Sequence, residues 1–292
     1  MPSLKDVKSK ITGVVKTKQI TKAMYMVASA KLRGSQTRIE RFRPYAEKFH
    51  EVLGHLAANA GEISHPLLEA HKTREKASLV LITSDRGLCG SLNALLIAKA
   101  LDEARARQAR GMRVEFLCVG KKGRAAIARQ GYAIVNSPQD ALTDFDYSLA
   151  RRIGRDLALA YQAAQTDEAA IVYPEFRSIA SQKPLVLSLL PIAPIAPHGP
   201  MQPKTGASHG FLCEPAMEQL MAQLLPASID AQVYRALLDA SACENAARML
   251  AMDNATRNCN ELISTLTLLY NKTRQASITS ELIDIVGGAE AL

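Results

Sequence analysis

The chain has 292 residues, 48% of them apolar and 22% charged, with no tryptophan and a formal net charge of +8. That length suits one large domain or two smaller ones, and that apolar content supports a buried core. No apolar run approaches a membrane span, because the longest candidate, Leu185 to Ile195, is broken by Pro191 and Pro194, and the opening MPSLKDVKSK lacks the apolar stretch of a secretory signal.

Residues 1–60 read as one helical segment. Leu4, Val7, Ile11 and Val14 are spaced three and four apart, and Thr21, Tyr25, Ala28 and Leu32 continue that spacing as a heptad-like seam. Gly13, Gly34 and Pro44 weaken the helix locally, with a kink expected near Pro44. The charge is concentrated here: residues 1–50 hold twelve Lys and Arg against three acids, a surplus of nine, so the rest of the chain is close to neutral. A surplus of that size implies an acidic partner, and on physics alone an acidic protein surface and a nucleic acid fit it equally. No nucleic-acid-binding signature is present, and aromatics are not interleaved with the cations.

Residues 77–192 read as an α/β domain. Strands are expected at Ala77–Thr83, Arg113–Val119, Tyr132–Asn136, Ala169–Phe176 and Leu185–Ile192, with helices at Leu92–Arg110, Lys122–Gln130 and Tyr147–Ala164. Alternation of strand and helix predicts a mostly parallel sheet with right-handed crossovers. The polar link SIASQKP, Ser178 to Pro184, predicts an antiparallel hairpin between the last two strands. Residues 193–212 then read as a mobile loop, with four prolines and three glycines between Ala193 and Gly210.

Residues 213–292 form the second helical segment. From Ala227 to Val286 there is neither Gly nor Pro. Leu262, Thr265, Leu269, Lys272, Ala276, Thr279, Ile283 and Val286 repeat the three-four spacing, and Gly287-Gly288 supplies a stop. A helix this long must bury its stripe on something, and the segment at the other end of the chain is the obvious partner. The expected fold is therefore α/β: a long antiparallel coiled coil of the N- and C-terminal helices plus a central Rossmann-like five-stranded domain.

Candidate chemistry centres on ITSDRGLCGSLN, Ile82 to Asn93, a glycine-punctuated turn between a strand and a helix. Such turns hold phosphates and nucleophiles in α/β proteins. This one lacks the lysine and spacing of a P-loop and the spacing of GxGxxG, so only the N-terminus of the following helix is left to hold an anion. Cys89 as a nucleophile needs a base, and every histidine is distant in sequence. His50, His55, His65 and His71 show no metal-ligand spacing and read as solvated surface residues. Five cysteines without a CxxC pair read as reduced thiols. In YNKTRQASITSEL, Tyr270 to Leu282, polar groups crowd three helical turns, which fits either a solvated face or one that meets a partner through specific hydrogen bonds.

These motifs carry a family resemblance. SLKDVKSKI and TKQITKAMYMVASAKLR at the start, ITSDRGLCGSLN and QKPLVLSLLPI in the middle, and AARMLAMDNATRN, LTLLYNKTRQASITSELIDIV and GGAEAL at the end occur in that order in the γ subunits of F-type ATP synthases, which this sequence closely resembles. Departures are Ser91-Leu92 after the glycine turn and Cys243 where a serine is usual.

The resemblance implies a central rotor shaft. Its terminal helices would turn inside a ring of three α and three β subunits, and its α/β domain would bind the ε subunit and the c-ring. Nucleotide sites in the family lie on other subunits, so it implies no catalytic, cofactor or metal residue on this chain, no nucleic-acid partner and no direct membrane insertion. It implies a peripheral location at the cytoplasmic face of the cell (inner) membrane. By motif matching, the positions that contact and couple to β are Met24, Asp85, Arg86, Cys89, Arg248, Arg274, Gln275, Thr279 and Glu281.

Overall fold

A computed structural model describes residues 3–59, 65–136, 138, 142, 145–192 and 217–290. The expected mobile loop at 193–212 lies outside these residues. Two helices frame the described chain, α1 (Leu4–Asn59) and α5 (Met217–Glu290). Between them come β1 (Lys76–Ile82), α2 (Leu92–Gln108), β2 (Arg113–Val119), α3 (Lys121–Arg129), β3 (Ala133–Ile134), α4 (Tyr147–Gln162), β4 (Glu168–Ser178) and β5 (Ser181–Leu190). By compactness the chain divides into a terminal unit, Met1–Ala30 with Arg248–Leu292, and a central unit, Lys31–Ala247.

In the central unit the five strands form one sheet in the order β3-β2-β1-β4-β5. β1 pairs in parallel with β2 and β4, β2 in parallel with β3, and only β5 runs antiparallel, against β4. β1 can be continuously apolar because it is covered on both faces. Val80 and Ile82 belong to one core cluster with Leu149, Ile153 and Leu157 of α4 and Ile229, Val233 and Leu237 of α5. Leu79 and Leu81 point the other way, into a cluster with Leu92, Leu96 and Ala100 of α2 and Ile127 of α3. Asp146 starts α4 by accepting from the backbone N–H groups of Ser148 and Leu149. α4 and α5 approach so closely at Gly154 that a Cβ there would lie 2.1 Å from Asp230 Oδ1.

Within this unit α1 and α5 pack antiparallel. Ser35 Oγ lies 3.1 Å from Ser241 Oγ, and one heptad further along α1 the Phe42 ring meets Tyr234, one heptad back along α5, at 4.9 Å between centroids. Leu32, Ser35, Ile39, Phe42, Ala46, Phe49 and Leu53 are covered in a three-four repeat, with Gln36, Thr37, Arg38, Val52 and Gly54 partly or fully covered beside them.

In the terminal unit the same repeat on α1 covers Leu4, Val7, Ile11, Val14, Thr21 and Ala28, as expected from spacing, and also Lys18, with Tyr25 at its margin. The α5 seam differs from expectation by one residue. The covered row is Met252, Thr256, Cys259, Ile263, Leu266, Tyr270, Thr273 and Ser277. Thr256 Oγ1 meets Thr21 Oγ1 at 2.8 Å. Leu262, Leu269 and Ile283, taken from the sequence as seam, are 49%, 39% and 65% exposed.

Other differences are local. α1 runs on through Gly13, Gly34 and Pro44; Pro44 is exposed, where water can hydrate the carbonyl that loses its partner. α5 continues past Gly287-Gly288 to Glu290. The expected polar link between β4 and β5 is itself mostly strand, because Ser178 pairs with Ser181 and only two residues turn the chain. β3 shrinks to two residues, with Asn136 in the left-handed region at φ 42° soon after it.

Candidate functional site

The loop after β1 is built by side chains that close on one another. Thr83 extends the pairing, its N–H donating to Val119 O at 2.8 Å, and its Oγ1 accepts from the Gly123 N–H at 2.8 Å. Two glycines permit this approach. A Cβ on Gly120, at φ 100°, would lie 2.0 Å from Thr83 O, and one on Gly123 would lie 2.7 Å from Thr83 Oγ1. Asn93, in the first turn of α2, then clamps the loop. Its Oδ1 accepts from the Ser84 N–H at 3.1 Å, and its Nδ2 donates to Ser84 Oγ at 2.7 Å and lies 3.3 Å from Cys89 Sγ. Ser84 Oγ donates to Arg86 O at 2.6 Å.

This arrangement answers the question the loop raises. Open α/β sheets bind ligands beyond the carboxyl ends of their strands, where the strand order reverses. Here β1 is that strand, flanked by β2 and β4. The place beyond its end is taken by Ser84, Asn93 and Cys89, the first and last buried. At the N-terminus of α2, the expected anion position, Ser91 makes no side-chain cap hydrogen bond; at that of α3, Asp85 Oδ1 accepts from the Lys121 N–H at 3.0 Å. Its Oδ2 is buried without a hydrogen-bond partner. The Cys89 thiol faces the Ser84 hydroxyl, the Asn93 amide and the Arg86 carbonyl, none of which is a base. Among the described residues no cluster could hold a metal ion.

The sequence-derived positions divide between the units. In the central unit Arg86 is exposed, Asp85 half-buried and Cys89 only 2% exposed. The Cys89 thiol is enclosed by the loop's own groups, Ser84, Arg86 and Asn93. In the terminal unit Met24 and Arg248 are half-buried, and Arg274, Gln275, Thr279 and Glu281 are exposed. Thr279 Oγ1 donates to Gln275 O at 2.9 Å, and Glu281 accepts from Ser277 Oγ at 3.3 Å, so part of this polar face is ordered within the helix.

Reading charge and motif alone missed the apolar surface around those residues. On α1, Ile20, Met26 and Val27 are more than half exposed. On α5, Leu262, Leu268, Leu269, Ile278, Leu282, Ile283, Ile285 and Val286 are all exposed. A helix that is apolar on more faces than one neighbour can cover is built to be enclosed. The run LTLLY carried that signal in the sequence.

His71 is not a solvated surface histidine: Nδ1 pairs with Asp167 Oδ1 at 2.8 Å, and the ring stacks on Tyr161 at 4.3 Å. Asp167 Oδ2 also accepts from the N–H groups of Glu75 and Lys76. Burial raises the Asp167 carboxyl, but the hydrogen bonds from His71 and the backbone outweigh it and hold the group below its ordinary value. The cluster pins the entry to β1.

Residues 3–292 match the family model described as ATP synthase. The chain is 57% identical to the ATP synthase gamma chain of Nitratidesulfovibrio vulgaris (strain DSM 19637 / Miyazaki F), over 100% of this chain and 99% of that one. It is 55% identical to the ATP synthase gamma chain of Maridesulfovibrio salexigens, over 100% and 99%. Among solved structures it resembles a chain of the central stalk and c-ring of the Tetrahymena thermophila mitochondrial ATP synthase, with TM-score 0.60 and 27% identity over 81% of this chain and 99% of that one. A chain of the Euglena gracilis mitochondrial ATP synthase, at 21% identity, TM-score 0.66 and coverage of 99% and 94%, shares the fold.

Proposed function

The chain belongs to the ATP synthase gamma-chain family, and on that premise we propose how its terminal helices and its β1 loop act. Its function is the family's: it is the central rotor shaft of an F-type ATP synthase, coupling ion translocation through the membrane sector to ATP synthesis or hydrolysis. It is a non-catalytic subunit, and it associates with the catalytic and rotor parts of the complex.

The finer reading is this. The terminal unit turns inside a ring of three α and three β subunits, and the central unit binds the ε subunit and the c-ring. The chain stands at the cytoplasmic face of the cell membrane as a peripheral protein. Among the described residues no helix is long and apolar enough to cross a bilayer. Nucleotides bind other subunits, and this chain carries no cofactor. The observation that carries the reading is the apolar surface left uncovered on the terminal unit, from Ile20 and Val27 on α1 to Leu282 and Val286 on α5. Surface of that kind on a helix pair asks for enclosure by other chains.

Mechanism follows from symmetry. A single shaft cannot meet three equivalent β subunits alike. Each orientation offers different contacts to each β, and so favours a different β conformation. Turning the shaft changes nucleotide affinity at each site in sequence. The exposed cations Lys5, Lys8, Lys10, Lys16 and Lys22 suit contacts that are made and broken every turn, because exposed charge pairs are individually weak. Met24, Arg248, Arg274, Gln275, Thr279 and Glu281 are the proposed coupling positions on the shaft, and Asp85 and Arg86 those on the loop.

Reconstitution tests this. Purified α and β are mixed with and without the chain. A stable complex with one copy of the chain and cooperative ATP hydrolysis is expected. A chain that neither joins α and β nor changes their turnover contradicts the reading.

A further inference from the structure

Where α4 meets α5, a carboxyl fills the space that a side chain on Gly154 would need. A Cβ there would lie 2.1 Å from Asp230 Oδ1 and 3.3 Å from the Asp230 backbone N. Apolar residues flank the contact on both helices: Ile153 and Leu157 of α4 and Ile229 and Val233 of α5 belong to one buried cluster. Asp230 itself is only 9% exposed. Among the described residues, nothing donates a hydrogen bond to its carboxylate. An ionised carboxylate enclosed without a donor is costly, and a neutral carboxyl far less so.

Two groups of α4 face Asp230: Arg151 and Tyr147. Tyr147 is hydrogen-bonded in turn to Tyr45 of α1. Arg151 is exposed, so water weakens its pull. Burial therefore outweighs Arg151 and raises the carboxyl from 3.8 to about 6. Burial, Tyr45 and Asp230 hold the Tyr147 phenol up at about 12, so it keeps its proton. Asp230 is the member of this group that changes charge near neutral pH.

Its position gives that change a consequence. Leu149 and Ile153 of α4 pack in one cluster with Val80 and Ile82 of β1. The Tyr147 ring meets Tyr234 of α5 at 5.3 Å, and Tyr234 meets Phe42 of α1 at 4.9 Å. Arg38 of α1 lies 5.0 Å over the Phe145 ring, just before α4 begins. The first half of α4 thus ties the sheet to both long helices, and Asp230 sits against it.

We propose that Asp230 is a proton-operated joint between α4 and α5: neutral, it lets the helices close at Gly154, and ionised, it draws water into the contact and loosens the first half of α4. The proton leaves to water and returns from it, beside exposed Arg151. A carboxyl raised in the closed state binds its proton more tightly there, so closure is favoured in full below about pH 4 and loses ground as pH rises through about 6. The joint is a property of this chain alone and holds whichever subunits it meets.

Amide hydrogen exchange of the full chain, read by mass spectrometry and corrected for the intrinsic effect of pH, follows the joint. Amides of residues 149–158 are expected to be about tenfold better protected at about pH 5 than at about pH 7.5. Amides of α2, on the other face of the sheet, are expected to change less. In Asp230→Asn, α4 is expected to stay protected at both pH values, and in Asp239→Asn to change as before. Arg151→Gln, a change at an exposed position, is expected to move the midpoint to higher pH. An equal change in α2, no change in α4, or a change that survives Asp230→Asn overturns the proposal. Should Asp230→Asn not fold, Arg151→Gln decides, and a midpoint that stays in place overturns it.

Discussion

Ser35 and Ser241 place their hydroxyl oxygens 3.1 Å apart across 206 residues of sequence, and both side chains are buried, at 1% and 3% exposure. A polar pair inside an otherwise apolar helix contact fixes register, because sliding either helix strands a hydroxyl. Ser241→Ala alone is expected to cost about 1 kcal/mol, since it leaves Ser35 without that partner. The double variant Ser35→Ala with Ser241→Ala is expected to cost less than the sum of the two single changes. A double-mutant cycle by urea unfolding measures the coupling, and additive costs would deny the pair its role.

Gly120 is the tightest point behind the β1 loop. Gly120→Ala is expected to destabilise the chain by about 3 kcal/mol or more, because the new Cβ meets a backbone carbonyl and the residue must keep a left-handed φ. Gly123→Ala, which meets only side-chain atoms, of Thr83 and Leu81, is expected to cost less. Denaturant midpoints of the two variants check the order.

Asp239 titrates against folding. Burial raises its carboxyl from 3.8 to about 6; the guanidinium of Arg235 opposes the shift, Glu175 adds to it and Arg43 opposes it. A carboxyl raised in the folded state binds its proton more tightly there than in the unfolded chain. Its contribution is fully present below about pH 4 and is lost as pH rises to about 6. Asp239→Asn is therefore expected to stabilise the chain by about 1–3 kcal/mol above pH 7 and by nothing below pH 4. Unfolding curves at both pH values decide it, and a gain that does not change with pH would contradict the assignment.

Met24 lies on α1 between Ile20 and Val27, four residues after one and three before the other, so the three form one apolar row that the exposed Lys16 continues, four residues before Ile20. Met24→Lys breaks the row and adds a cation. The complex is expected to assemble but to pump fewer ions per ATP hydrolysed. Ion uptake and phosphate release, measured together in reconstituted vesicles, give the ratio. An unchanged ratio would remove Met24 from the coupling positions.

The strands were legible in the sequence because buried parallel strands leave short apolar runs between turn residues, and β1 and β2 fall within a residue of expectation. The seam of α1 was legible because Val7, Thr21 and Ala28 lie on a row whose flanks are mostly lysine and other polar residues. The seam of α5 was not. Leu262, Leu269 and Ile283 outweigh Thr256, Cys259 and Thr273 in apolar character, so spacing alone favoured the wrong row. A helix that meets its partner helix on one face and other subunits on the rest has no single stripe to find. The loop was legible as a turn and not as a clamp, because Asn93, Lys121 and Gly123 reach it only through the fold. The uncovered apolar residues were visible as letters; only their exposure turns them into a surface.

Rotation is the central claim, and it is measured directly by fixing an assembly of α and β subunits to a surface, attaching a bead to the central unit of this chain and supplying ATP. The account predicts turning in one direction, with three equal steps per revolution that follow the ATP concentration. ATP hydrolysis that proceeds while the bead stays still would contradict it.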